Sequence, residues 1–275
     1  MTFNIRYGLA DDGEDSWEHR RDMVMEVIQK QAPDLLGLQE ALQFQLDEVL
    51  EAFPEYAASG KERDGDGKGE YSAILYRKAR FKVLEEGTFW YSDTPEVPSA
   101  HWGNRHLRIC SWARFHDKAT GERLYLYNTH WDHQSQKSRE KSALLLAQRI
   151  HNRSHAEPFI AMGDFNAGES NPTIDYLKGN AGPLGVSLVK LVDSFRSAYP
   201  GETIVGTFNG FENAVDGEKI DYIFVSNNLH VEAASIVRFQ LDGHTPSDHF
   251  PVTARISFSD PKLQSPNPVI NDPET

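Results

Sequence analysis

Residues 158–168 read Pro-Phe-Ile-Ala-Met-Gly-Asp-Phe-Asn-Ala-Gly, an apolar run that breaks off into Gly-Asp-Phe-Asn. A short apolar run closed by glycine reads as a buried strand. Its last residues are unusual for a core element, because Asp164 and Asn166 place a carboxylate and a carboxamide two positions apart. Alternate residues of an extended chain face the same side. Asp164 and Asn166 are therefore expected to point at one target, with Phe165 turned into the core. Gly163 is expected to let another backbone come close. Alone, an Asp and an Asn after a strand read equally well as turn formers.

Working outward, the same signature recurs. Asn4 lies in the strand-like Thr2–Tyr7 run, and Glu40 ends Leu35-Leu36-Gly37-Leu38-Gln39. His130 and Asp132 follow the run 124–129, Asp221 opens the apolar run 221–226, and Asp248-His249 precedes the run 250–258. Strand-like runs also cover 71–76, 81–85, 109–115 and 231–239. Apolar spacing predicts helices over 17–30, from about 42 to 53, and over 138–151. The charged, glycine-rich stretch 61–70 reads as a mobile loop. No repeat or linker divides the chain, so one domain over 1–259 is expected, followed by a proline-rich tail over 260–275.

Composition narrows the class. Of 275 residues, 39% are hydrophobic, enough for a substantial core. The formal net charge of −13 gives no general attraction for a polyanion, which disfavours long nucleic acid. Cys110 is the single cysteine, so no internal disulfide can form; it reads as a small buried strand residue. No apolar run reaches membrane-spanning length. No signal-peptide pattern precedes the first strand. A cytoplasmic monomer is expected, or an exported protein whose leader has been removed.

If the polar strand ends converge, several carboxylates meet two imidazoles and two carboxamides. Crowded carboxylates repel one another unless a cation sits among them. Oxygen donors favour a hard ion, Mg²⁺ with Mn²⁺ as a substitute, over zinc. Such a centre suits phosphoester hydrolysis.

The ordered motifs MTFN (1–4), LQE (38–40), NTHWD (128–132), GDFN (163–166), KIDYIF (219–224) and SDHFP (247–251) resemble the endonuclease/exonuclease/phosphatase superfamily. The resemblance spans nearly the whole chain. It implies a four-layer α/β sandwich, two packed mostly antiparallel sheets flanked by helices, with the site at one edge. It implies that Glu40 is the principal metal ligand, with Asn4 beside it and Asp248 as a neighbouring metal-site carboxylate. Asp164 is then the carboxylate that activates water, and Asn166 holds the phosphate. His249, oriented by Asp221, contacts the scissile phosphate, and His130 matches a second phosphate-contacting histidine. The apurinic endonucleases of this superfamily carry an acidic residue where this chain has Arg6. Arg6 cannot bind a cation, which weighs against two metals at that end and leaves phosphate binding or a carboxylate pair.

The stretches 16–21, 89–99 and 108–115 resemble the small bacterial, deadenylase-like branch. His101, Trp102, Arg105 and Arg108 share one loop and are expected to form a stacking and phosphate-binding wall. Three functions compete. The first is a Mg²⁺-dependent phosphodiesterase or phosphatase acting on a phosphorylated small molecule or short oligonucleotide. The second is a nuclease such as a 3′–5′ exoribonuclease. The third is a non-catalytic binding protein, disfavoured because Asp164 and His249 are both present. A lipid substrate ranks low, since no membrane-surface amphipathic helix is evident.

Overall fold

The computed structural model describes residues 1–180 and 182–258; the proline-rich tail expected over 260–275 lies outside them. In chain order the strands are β1 (Thr2–Asn4), β2 (Leu35–Ala41), β3 (Tyr56–Ser59), β4 (Tyr71–Arg77), β5 (Phe81–Trp90), β6 (Ile109–Asp117), β7 (Arg123–His130), β8 (Phe159–Asp164), β9 (Leu191–Asp193), β10 (Asp221–Ser226), β11 (Leu229–Ile236) and β12 (Val252–Phe258). The helices are α1 (Trp17–Gln31), α2 (Gln43–Ala52), α3 (Gln136–His151), α4 (Pro172–Leu177) and α5 (Ser194–Ala198). One six-stranded sheet runs β11-β12-β1-β2-β4-β3, the other β5-β6-β7-β8-β10-β9. Each sheet holds one parallel pair, β1 with β2 and β7 with β8, and its other pairs are antiparallel.

Period-two alternation sorts the side chains into layers. Leu124 and Leu126 of β7, Ile160 and Met162 of β8, and Ile223 and Val225 of β10 meet Ile74 and Val252 of the other sheet in a central core. The residues between them, including Tyr125, Tyr127, Phe159, Ala161, Tyr222 and Phe224, pack against Leu146 and Ile150 of α3 and Ile174 of α4. On the far side, Phe3, Leu36, Leu38 and Leu75 meet Val24, Val27 and Ile28 of α1 and Leu46 and Val49 of α2. The result is the four-layer sandwich, helix–sheet–sheet–helix.

The same alternation carries polar groups to one edge of the central layer. Asn128 and His130 continue the inward-facing positions of β7, Asp164 continues those of β8, and Asp221 begins those of β10. Deeper in, Gln39 Nε2 donates to Asn128 Oδ1 at 2.6 Å and to Thr2 Oγ1 at 3.0 Å. Asn128 Nδ2 reaches across to the carbonyls of Leu38 and Ala73 at 3.0 and 2.8 Å. Buried amides need such partners, and three of these four bonds cross to the opposite sheet, so making them fixes how the sheets sit on each other.

Three local features depart from the sequence reading. β1 stops at Asn4 rather than Tyr7, because Arg6 adopts φ 61° and leaves the extended region. The stretch 61–70 is tied down: Arg63 N bonds Glu70 O at 3.0 Å, and Glu62 accepts from the amides of Asp64 and Gly67. β3, β9, α4 and α5 are short elements that periodicity does not reveal, although Asn171 capping Thr173 N ahead of Pro172 is a helix-start signal.

Gly163 has φ +140°, and a Cβ there would lie 2.0 Å from the carbonyl oxygen of Thr129 on β7. Gly121 also has positive φ, but nothing lies within 4 Å of its would-be Cβ. Gly163→Ala is expected to lose more than about 2 kcal/mol of unfolding free energy through overpacking. Gly121→Ala should lose only about 1 kcal/mol, through backbone strain alone. Urea denaturation of both variants checks this, and equal losses would show that the β7–β8 approach carries no special cost.

Candidate active site

The parallel β7–β8 register pairs His130 with Asp164, and the antiparallel β8–β10 register pairs Asp164 with Asp221. Three polar side chains therefore end side by side on one sheet. On the other sheet the parallel β1–β2 register sets Asn4 beside Gln39. By strict alternation the next residue, Glu40, would turn toward the outer helices. Instead β2 carries a register shift between Leu38 and Ala41, and Glu40 takes φ 59°. This irregularity re-aims the carboxylate toward the edge, a common use of bulges.

Asn4 joins the two halves. Its Nδ2 donates to Glu40 Oε1 and to Asp164 Oδ2, both at 3.1 Å, while its Oδ1 accepts from Arg6 N at 3.0 Å. Glu40 Oε2 accepts from Tyr7 N at 2.8 Å. His249 Nδ1 and Asp221 Oδ2 are 2.9 Å apart, and His249 Nε2 lies 3.8 Å from Asp164 Oδ2. His130 Nε2 lies 3.5 Å from the same Asp164 oxygen. One carboxylate oxygen thus has an imidazole on each side.

The two imidazoles have opposite electrostatics. Burial works against charge on His249, but Asp221 and Asp164 outweigh it and lift the imidazole well above its ordinary range. Burial and then the Arg108 guanidinium hold His130 well below that range, so it is neutral at pH 7. Divergent shifts of this kind separate acid and base roles. Burial and the neighbouring Asp221 push the Asp164 carboxyl up to about 7. Burial also raises Asp248, against the pull of His249. Burial tends to raise Glu40 too, but the Asn4 hydrogen bond, His249 and the Tyr7 amide together keep it below the usual carboxylate range.

These residues suit a divalent cation. Four buried or nearly buried carboxyls share the edge, Asp221 Oδ1 is buried with no hydrogen-bond partner, and Glu40 helps raise Asp248, a repulsion that a cation between those two would relieve. The oxygen-rich donor set matches a hard ion.

Of the residues expected from sequence, Arg6, Glu40, Arg108, His130, Asp164, Asn166, Asp248 and His249 line a cleft of about 890 Å³. Asn4 and Asp221 stand directly behind them, bonded as described. Asn166 departs from the expected alternation: it takes φ 47°, its amide N donates to Asp164 Oδ1 at 2.8 Å, and its Nδ2 donates to Trp131 O at 3.0 Å. Phe165 does turn inward, against Trp131, Tyr222 and Phe224. Arg6 makes a two-pronged pair with Asp12 and lies 3.7 Å from Asp248. Arg20, from the 16–21 stretch, spends its guanidinium on the carbonyls of Ile5, Arg6 and Pro246, holding the ends of β1 and the 247–249 turn together.

The expected stacking wall is only partly present. Arg108 is buried, with Nη1 3.0 Å from both ring nitrogens of His130 and Nη2 3.0 Å from His133 Nδ1. His101, Trp102 and Arg105 do not line the cleft. His101 and Trp102 both bond Asp93, and Arg105 is exposed, with its backbone amide on Asp132. Contacts with Asp93 and Asp132 hold this segment away from the cleft, leaving His101 and Arg105 exposed and Trp102 half-buried against the core around Trp131 and Phe165. Conversely, Arg63, Glu70, His106, His133 and Phe208 line the cleft although the sequence reading did not select them.

Packed sheets that bring carboxylates and imidazoles to one edge define a phosphoester hydrolase. The chain belongs to the Endonuclease/Exonuclease/phosphatase family, whose model matches residues 1–249. A solved family protein from Bacteroides thetaiotaomicron is 34% identical, with TM-score 0.85 over 94% of this chain and 96% of its own. A mannosyl-6-phosphatase from Bacteroides thetaiotaomicron is 35% identical, with TM-score 0.83 over 94% of this chain and 98% of its own. The human Nocturnin catalytic domain shares the fold at 20% identity, with TM-score 0.72 over 94% of this chain and 93% of its own. Among the described residues no helix is long and apolar enough to cross a membrane.

Because Asp221 is a principal support of the His249 charge, Asp221→Asn should lower the His249 pKa in the metal-free protein, as read by NMR titration. A raised histidine pKa stabilises fully below the unfolded value, near 6.5, and that contribution is lost as pH rises through the folded value. The stability gap between wild type and Asp221→Asn should therefore be widest on the acid side of that window. A gap independent of pH would show that Asp221 does not hold the charge.

Proposed function

We propose that the protein is a divalent-metal-dependent phosphatase acting on a phosphorylated small molecule, with a phosphorylated sugar as the favoured class. The observation that carries this reading is the Asp164 oxygen flanked by His130 and His249 at the rim of the cleft. The 35% identity to a mannosyl-6-phosphatase supports a phosphatase and a sugar phosphate. The −13 charge supports a small substrate over a long polyanion.

Glu40 and Asp248 would hold the ion, Mg²⁺ or Mn²⁺, and Asn4 keeps Glu40 and Asp164 in place. When bound, the ion neutralises charge on the phosphoryl oxygens and among the carboxylates. Asp164 accepts the proton of the attacking water; its position near neutrality suits that role. The His249 imidazolium, steadied by Asp221, donates to the phosphoryl group. Neutral His130 offers a second contact on the opposite side. Asn166 and Arg6 complete the anion's surroundings, while Arg108 stands behind His130 and helps keep it neutral.

Phosphate release from hexose 6-phosphates and phenyl phosphate should require Mg²⁺ or Mn²⁺ and stop with EDTA. Asp164→Ala should lower kcat about 10³-fold, within the range for loss of a general base. Faster release of nucleotides from single-stranded RNA than of phosphate from any monoester would replace this reading with that of an exoribonuclease. Unchanged turnover in Asp164→Ala would remove Asp164 from the chemistry.

A further inference from the structure

Beyond the reacting edge the cleft has two unlike walls. On one, Arg63 Nη1 donates to Glu70 Oε2 at 2.6 Å, and the two side chains are only 12% and 13% exposed. Arg63 Nε is buried with no hydrogen-bond partner, and Glu70 Oε1 accepts none among the described residues. Burial lifts Glu70 to about 7 against the pull of Arg63, so near neutrality this carboxyl can offer either a proton or a lone pair. His106 and His133 line the same cleft, and burial holds both below the ordinary histidine range. On the other wall Phe208 is 48% exposed and meets His249 edge-on, with ring centroids 5.2 Å apart.

This wall is poorly suited to a second phosphate. Arg63 is already paired and Arg108 is turned inward onto His130 and His133, which leaves Lys68 as the exposed cation among these residues. What remains, besides the exposed Lys68, is a set of adjacent donors and acceptors in which Arg63 faces Asp64 at 3.7 Å as well as Glu70. A hydroxyl donates and accepts at once, so a guanidinium beside a carboxyl matches neighbouring hydroxyls well. An exposed aromatic ring next to the phosphate-contacting imidazole offers packing for the C–H face of a ring. Resting on the phosphatase reading above, we propose that Arg63 and Glu70 bind adjacent hydroxyls of a neutral sugar leaving group that packs on Phe208, making these three residues the specificity determinants of the cleft.

The test is kcat/KM with Mg²⁺ for hexose 6-phosphates, a hexose 1,6-bisphosphate and phenyl phosphate, in wild type, Glu70→Gln and Phe208→Ala. Phe208 is half-exposed, so its variant keeps the test decisive if Glu70→Gln fails to fold. Wild type should favour a hexose 6-phosphate over phenyl phosphate by about tenfold or more, as expected when polar groups are built to bond substrate hydroxyls. The ratio of the two constants should fall about tenfold in each variant. A ratio near one in wild type, a ratio unmoved by either substitution, or a preference for the bisphosphate overturns the assignment. Hydrolysis of phenyl phosphate without sugar preference would do so while leaving the phosphatase reading intact. Failure to hydrolyse any monoester overturns the phosphatase reading, and this assignment with it.

Discussion

One carboxamide ties the two sheets together where the chemistry lies. Asn4, at the end of β1, donates to Glu40 on its own sheet and to Asp164 on the other. Each of those carboxylates would be costly to bury alone. With Asn4 between them, the inter-sheet distance, the Glu40 rotamer and the Asp164 orientation become a single constraint. Ser247 strengthens it by donating to the Asn4 carbonyl at 2.7 Å, which brings Asp248 and His249 to the same point.

The remaining polar edge is built outward from that contact. Two carboxyls, Asp164 and Asp248, are pushed up by burial, while His249 is held protonated and His130 neutral. These opposing shifts leave the edge short of positive charge for its carboxylates. That shortage, together with oxygen donors, is the physical reason to place a divalent ion and a phosphoryl group there. Beneath it, Gln39 and Asn128 bond across the sheets and hold them in register with each other.

Much of this was legible in the linear chain. The apolar alternation in β7, β8 and β10 is regular, so the layers follow from period two, and polar residues that end such runs collect at one edge. Local backbone irregularity was not legible. Glu40 reaches the site only through positive φ and a shifted register, and Asn166 leaves the strand at φ 47° instead of continuing the alternation. The loop residues were harder still. Nothing in their spacing separates Arg108, which turns inward, from Arg105, which stays exposed. Arg63 and Glu70 sit in a charged, glycine-rich stretch whose composition suggests mobility, yet a carboxylate at Glu62 organises its amides. Phe208 carries no polar signal at all.

The central claim is that this edge is a joint site for a divalent ion and a phosphate. The most direct measurement is an anomalous difference map from crystals grown with Mn²⁺ and inorganic phosphate. The account predicts a manganese peak at Glu40 and Asp248, with phosphate against His249 and Asn166. Manganese absent from this edge, or phosphate bound away from both imidazoles, would contradict it.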